Sequence, residues 1–226
     1  MSLHLVIKKT VLCLFIAFAF GLNAQNNEGL KEAIESDVSI TDSKQRNVAY
    51  SIGYHNPIPT GDNFIGNGLE GNGGLNFKVQ IYVYKQFFVG GSLGASYFDV
   101  KDPSVVGDYK KTRIAEQFLF LGYEFIPTEN FRVGLTASVF GEARYKNQKS
   151  DNVYQIDTAR LNSYGVYLTY EISREFMIYL DYAFRVDKTR INVPTALEDT
   201  FRKGAFSQIG IGLKFSFIGK DFISLF

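Results

Sequence analysis

Ser163-Tyr164-Gly165-Val166-Tyr167-Leu168-Thr169-Tyr170-Glu171-Ile172 decides the fold. Tyr164, Val166, Leu168, Tyr170 and Ile172 occupy one phase of a period-two repeat, and Ser163, Gly165, Tyr167, Thr169 and Glu171 the other. Successive side chains of a strand point to opposite faces, so this stretch is a strand with one greasy face and one polar face. Seven further stretches read the same way. Ile52 and Tyr54 alternate with Ser51, Gly53 and His55; Phe77 and Ile81 with Asn76, Lys78, Gln80, Tyr82 and Tyr84; Leu93 and Tyr97 with Ser92, Gly94 and Ser96. Leu119, Leu121 and Tyr123 alternate with Glu116, Phe118, Phe120 and Glu124, the weakest contrast of the set. Leu135, Ala137 and Val139 alternate with Arg132, Thr136, Ser138, Glu142 and Arg144; Leu180 and Phe184 with Asp181 and Arg185; Ile211, Phe215 and Phe217 with Gln208, Lys214 and Ser216.

The gaps between these eight strands run long, short, long, short, long, short, long. The long ones are Pro57–Asn72, Asp99–Thr112, Lys146–Asp157 and Asp187–Lys203; the short ones are Lys85-Gln86, Ile126–Asn130 and Ser173–Glu175. Transmembrane β-barrels combine an even strand count with short periplasmic turns and long extracellular loops. The expected fold is therefore all-β: an eight-stranded antiparallel up-and-down transmembrane β-barrel over residues 47–217. A soluble sandwich or a lipocalin-like barrel also alternates. Those folds bury the apolar face and use strands of about 5–6 residues, whereas these strands are about as long as a tilted membrane strand requires. Aromatic residues at strand ends, among them Tyr54, Phe87, Phe88, Tyr123, Phe125 and Phe176, fit the girdles of a membrane barrel.

Hydrophobic residues make up 46% of the chain and aromatic ones 15%, yet no segment after the leader reaches 18 consecutive apolar residues. That excludes a bundle of membrane-spanning helices. Lys8 and Lys9 followed by the apolar run from Thr10 to Leu22 read as a secretory signal peptide, residues 1–24, cut between Ala24 and Gln25. A retained membrane anchor needs a longer apolar run. The single cysteine, Cys13, lies in mid-run and leaves with the leader, so the mature chain has neither a thiol nor a lipid-anchor cysteine. Residues 25–46 are expected to form a periplasmic N-terminal segment. Leu30, Ala33 and Ile34 have helical spacing there, and a short helix or an irregular leader are both open. Residues 218–226 form a C-terminal tail without an assigned place. The net charge is +1, and it becomes −1 once Lys8 and Lys9 leave, so no electrostatic reason for binding nucleic acid exists.

Five cations (Lys78, Arg132, Arg144, Arg185, Lys214) and five anions (Glu116, Glu124, Glu142, Glu171, Asp181) fall on the inward phase. The interior of an eight-stranded barrel is just wide enough for side chains to fill it. Balanced charges there predict a salt-bridged, structural plug rather than an ion-selective pore.

Gly53-Tyr54 followed by Pro57-Ile58-Pro59-Thr60-Gly61-Asp62-Asn63-Phe64 resembles the first strand and loop of the outer-membrane β-barrel domain family, with Asn63 interrupting the motif. Gly210-Ile211-Gly212-Leu213-Lys214-Phe215-Ser216-Phe217 resembles the terminal strand of that family, whose final aromatics (here Phe215 and Phe217) are read by the barrel-assembly machinery. The tail after Phe217 is a departure, since such strands commonly end the protein. The resemblance implies a small OmpA- or OmpX-like barrel in the outer membrane of a Gram-negative bacterium, in contact with outer-membrane lipid and lipopolysaccharide. It implies no shared catalytic residues and no cofactor.

Three chemical readings compete with inert structure. Gly66-Asn67-Gly68-Leu69-Glu70-Gly71 matches the dinucleotide fingerprint, but a strand follows it where a phosphate-binding helix is needed, so a flexible surface loop is expected. His55, the only histidine of the mature chain, falls near Ser51, Ser96 and Asp99 at the outer rim, where a His–Ser pair would suit a lipid-modifying enzyme. Its His55-Asn56-Pro57 context lacks the His-x-Ser arrangement of the lipid A deacylase barrels. Acidic loop residues Asp99, Asp102, Asp108, Glu198 and Asp199 suggest divalent cations that bridge lipopolysaccharide, while basic ones such as Lys101, Lys110, Arg113 and Lys146 suit lipid phosphates. Mixed charges of this kind also suit plain solvated loops. The functional expectation is a non-enzymatic barrel acting through four long outer loops, with a narrow solute channel and a His55 enzyme as alternatives.

Overall fold

The computed structural model describes residues 44–149, 153–191 and 193–225. The leader, the Ala24/Gln25 cut, nearly all of the 25–46 segment and Phe226 lie outside the described residues. Eight strands follow one another: β1 (Arg46–Pro59), β2 (Leu69–Tyr84), β3 (Phe87–Val100), β4 (Lys111–Phe125), β5 (Phe131–Gln148), β6 (Tyr154–Glu171), β7 (Phe176–Thr189) and β8 (Lys203–Ile218). Each pairs antiparallel with its neighbour in sequence. β8 closes the barrel on β1 in one register from Val48↔Phe217 to Pro59↔Phe206. Closure leaves no unpaired sheet edge.

Ile52, Leu75, Leu93, Leu119, Leu135, Tyr164, Leu180 and Ile211, one from each strand, all point out of the barrel and are exposed. A continuous apolar belt of this kind far exceeds what a soluble monomer shows to water. The inward glycines make room for tyrosines that cross the lumen. A Cβ on Gly53 would overlap the Tyr179 hydroxyl, and one on Gly134 the Tyr167 ring.

The expected facing holds along β6, β7 and β8 and along most of the other strands. It fails at bulges. A register shift between Tyr82 and Tyr84 turns Tyr84 outward; Phe88, expected in the girdle, lies fully inside on the inward phase that β3 keeps through Ser92 and Ser96. The larger departure is in β5. Leu119 pairs with Phe140 but Phe120 pairs with Ser138, so Val139 has no partner on β4 and both Val139 and Phe140 face outward. An extra residue reverses the phase of everything after it. Glu142 and Arg144, expected in the lumen, are therefore exposed on the outside, and Ala143 and Tyr145 take the inward positions.

That reversal matches a change of surroundings. Towards the long-loop end the inward side chains become apolar: Phe98, Ile114, Ala143, Tyr145, Leu161 and Phe206 form one core. The outward ones become charged, with Lys111, Arg113, Glu142, Arg144, Arg160 and Lys188 all exposed. Near the short turns the wall is greasy outside and polar inside; beyond the β5 bulge it is built like a water-soluble protein. β5 and β6 continue pairing to Gln148↔Tyr154. The expected long third loop is thus only residues 149–153, because a polar ribbon keeps its ladder in water.

A helical turn, α1 (Phe64–Gly68), drops into the open end and buries Phe64 and Ile65 in that core. Asn63 caps it, accepting from the Ile65 and Gly66 amides at 3.1 Å and from the Ala205 amide of β8 at 3.2 Å. Shorter turns at α2 (Pro103–Val106) and α3 (Glu198–Phe201) complete the loop end.

At the other end the tail doubles back over the β2–β3 turn. Asp221 accepts from the Lys85 amide at 2.9 Å and the Ser224 amide at 2.8 Å, and the Phe222 amide donates to the Tyr82 carbonyl at 2.9 Å. The first contact supports Lys85 in its left-handed conformation, φ 49°. Burial alone would raise the Asp221 pKa, but the amides of Lys85 and Ser224 outweigh it and hold the carboxyl below its ordinary 3.8. A depressed folded pKa stabilises docking above the unfolded value and loses that stabilisation as pH falls through the folded one. Protection of the Ile223–Leu225 amides, taken relative to intrinsic exchange at each pH, should thus be high at neutral pH and fall as acid passes below 3.8. Asp221→Asn should abolish that acid step; an unchanged step would show that another group holds the tail.

Candidate functional site in the lumen

The polar interior is arranged in layers. Nearest the short turns, Lys214 donates to Glu124 at 2.5 Å, Arg132 reaches Glu124 at 3.3 Å and Glu171 at 2.5 Å, and Arg46 reaches Glu171 at 2.9 Å. Lys44 joins Glu171 from the rim at 3.3 Å. The Tyr167 hydroxyl donates to Glu124 at 2.6 Å, and its ring packs with Phe88, itself in contact with Tyr82 and Phe120, so the ionic layer is roofed by aromatics.

In the middle, Lys78 and Asp181 pair at 2.6 Å across the barrel. Beside them is a cavity of about 40 Å³, bordered by Ser51, Asn76, Glu116 and Tyr179. That is room for one to a few waters and for nothing larger.

Above it, the Arg185 guanidinium grips both Asp187 oxygens, each at 2.8 Å, and pairs with Glu116 through its remaining amino group. Tyr145 donates to Asp187 at 2.5 Å. The fork of an arginine suits this double engagement of a carboxylate. The apolar core closes the lumen above: the Phe206 ring faces the Arg185 guanidinium at 4.8 Å, and Phe64 stacks on Phe201 at 5.2 Å.

Of the ten charges expected inside, the structure places Lys78, Glu116, Glu124, Arg132, Glu171, Asp181, Arg185 and Lys214 there. Glu142 and Arg144 are outside, and Arg46 and Asp187 stand in the lumen in their stead. The interior thus keeps equal numbers of each sign along its strands. Asp187 was legible in principle, being two residues beyond Arg185 on the same face. Arg46 was not, because a bulge between Arg46 and Val48 brings it inward against the phase of Ala49 and Ser51.

His55 and Ser96 do meet, at 2.8 Å, whereas Asp99 is engaged with Asn72 and Ser51 is not a partner of His55. The Asn76 carbonyl oxygen accepts from Tyr179 at 3.3 Å, which leaves the Asn76 amide nitrogen facing Nδ1 of His55 at 3.2 Å. The Gln208 amide nitrogen lies 3.2 Å from Nε2, so each ring nitrogen faces a side-chain amide, and Nε2 also faces the Ser96 hydroxyl. A general base needs a lone pair towards the hydroxyl and a carboxylate or other acceptor behind the other nitrogen, whereas the partner behind Nδ1 is the Asn76 amide. Gln208 adds a further contact to Ser96 at 3.1 Å, and both His55 and Ser96 are buried. The group is a saturated polar cluster beneath an apolar lid.

Gly66 and Gly68 lie in α1 and Gly71 in β2. The expectation of a flexible loop is corrected: an ordered helical turn is present, although it precedes the strand and so cannot cradle a phosphate as the fingerprint requires. Asp102 caps α2, accepting from the Ser104 amide at 2.9 Å and hydroxyl at 2.6 Å. Among the described residues no group of three or more His, Cys, Asp or Glu is placed to hold a metal ion.

No protein-family model and no curated protein sequence matches the chain. Solved structures do. Neisserial surface protein A is 7% identical with a TM-score of 0.53, over 75% of this chain and 97% of that one. The outer membrane protein OprG from Pseudomonas aeruginosa is 14% identical with a TM-score of 0.51, over 79% and 99%. The chain has the fold of the small closed outer-membrane barrels.

Proposed function

We propose that this chain is a non-conducting, non-enzymatic protein of the outer membrane that acts through the surface of its long-loop end. Its leader is cut after Ala24, and Phe215 and Phe217 are read by the barrel-assembly machinery during insertion. One observation supports the non-conducting reading above all: three charged layers and an apolar core succeed one another along the lumen, and the central cavity among them is only about 40 Å³, while a larger space of about 830 Å³ lies at the wall by the β5 bulge, between Leu119, Phe140 and Arg160. The rigid, water-adapted extension beyond the apolar belt then carries the contacts with outer-membrane lipid, lipopolysaccharide or another protein. Its outer face comprises the ends of β4–β8 and three sizeable loops, since the β5–β6 ladder runs on to Gln148↔Tyr154.

Planar bilayers containing the refolded protein should show no discrete conductance steps. Regular single-channel steps would restore the channel alternative. For the enzyme alternative, lipid A from cells expressing the wild type and His55→Ala should have the same mass spectrum. A modification present only with the wild type would reinstate His55 as a catalyst.

A further inference from the structure

Beyond the apolar belt, the outward face of β4–β8 carries an unusual arrangement of cations. Arg113 sits directly opposite Lys146 in the β4–β5 ladder, Arg160 opposite Lys188 in β6–β7, and Lys188 opposite Lys203 in β7–β8. Arg144 lies between these rows, opposite Thr158, and the Arg190 amide bonds the Thr158 carbonyl from the next strand. All of these side chains are exposed. Among the described residues none of them is in an ion pair; the one carboxylate within the rows, Glu142, stands directly opposite Arg160 in the β5–β6 ladder, which leaves Arg113, Arg144, Lys146, Lys188 and Lys203 without a carboxylate across from them. Arg113 rests on Tyr97 and Lys146 on Tyr154, which fixes both near the wall.

Like charges directly opposite one another destabilise a sheet. Three such pairs, in the β4–β5, β6–β7 and β7–β8 ladders, are tolerable in water only through screening, and they become favourable when a multivalent anion lies across them. The lattice begins where the greasy wall ends: Phe140 and Tyr164 are the last large apolar residues before it on β5 and β6. In a membrane this is headgroup level. Cation spacing there follows the strand separation of about 4.8 Å and the two-residue repeat of about 7 Å, distances that several cations can bridge to one phosphate.

We propose that this surface binds the phosphate groups of an outer-leaflet glycolipid, with Arg144, Arg160 and Lys188 at its centre. The inference rests on the outer-membrane reading above and adds to it a defined partner chemistry. Arginines supply bidentate contacts to phosphate oxygens, and the ordered sheet holds the cations in place before binding.

The test uses refolded full-length protein in micelles, titrated with bis-phosphorylated lipid A, with the same lipid stripped of phosphate, and with inorganic phosphate. Wild type should bind the phosphorylated lipid. The triple variant Arg144→Gln/Arg160→Gln/Lys188→Gln should bind it roughly a hundredfold more weakly, from about fivefold for each cation removed. Loss of the lipid phosphates should weaken wild-type binding to a similar degree, and millimolar inorganic phosphate should not displace the lipid. Equal binding by wild type and variant, equal binding of both lipids, or displacement by inorganic phosphate would each overturn the proposal. A heat-shifted gel band reports folding throughout. If the variant lacks the band, Arg160→Gln alone and a salt titration of the wild type decide the same question: salt-insensitive binding overturns the proposal. If the wild type itself lacks the band, the membrane reading fails and this inference falls with it.

Discussion

Arg185→Met will lower the stability of the barrel by about 3–5 kcal/mol, the range for removing one partner of a buried ionic group. The side chain is about 1% exposed and is the only cation in direct contact with Glu116 and Asp187 among the described residues. Its loss leaves two carboxylates and the Tyr145 hydroxyl facing each other between the small central cavity and the apolar core. The effect belongs to the unpaired charges and not to the arginine as such. Adding Glu116→Gln and Asp187→Asn to Arg185→Met should therefore recover most of the stability. Urea unfolding from lipid vesicles measures all of these variants. A single variant as stable as wild type would mean that water reaches this layer freely, and the closed-lumen account would lose its main support.

Leu135→Arg and Thr136→Arg should differ sharply although the residues are adjacent. Leu135 is 49% exposed on the outer wall and Thr136 faces the lumen beside Gly165. An arginine on the lipid side of a barrel strand costs about 2–4 kcal/mol near the bilayer midplane. At position 136 the same side chain enters a polar interior and should cost less, up to what crowding against Gly165 and its neighbours imposes. The comparison holds strand, depth and substituent constant and changes only the facing. Equal losses would refute either the register of β5 or the presence of lipid on its outer side.

The parts of the fold that were legible in the sequence are those where one physical rule acts alone. β6 and β8 alternate without interruption, so the phase read at Leu168 or Leu213 holds to both ends of the strand. β5 starts equally clearly, but one unmatched residue reverses its second half, and the only trace of this in the sequence is the adjacent apolar pair Val139-Phe140. Glu142 and Arg144 were misplaced for that reason alone. The polar runs at Lys146–Asp157 and after Asp187 read as loops under the rule that polar residues end a membrane strand. That rule marks where the lipid ends. The backbone ladder continues past it, because water solvates an outward Arg144 or Lys188 as readily as a loop would. α1 was hidden among glycines, its signal reduced to Phe64-Ile65 and the Asn63 cap. The meeting of His55 and Ser96 was anticipated from their shared inward face. Their saturation by Asn76 and Gln208 depends on cross-strand register, which no single strand encodes.

Lipid, not protein, is expected to cover the apolar belt of the barrel. Mature protein diluted from urea into phospholipid vesicles or detergent should give a gel band that migrates differently before and after boiling, and diluted into plain buffer it should give none. A folded, monomeric, β-rich protein in buffer without any amphiphile would contradict the account outright.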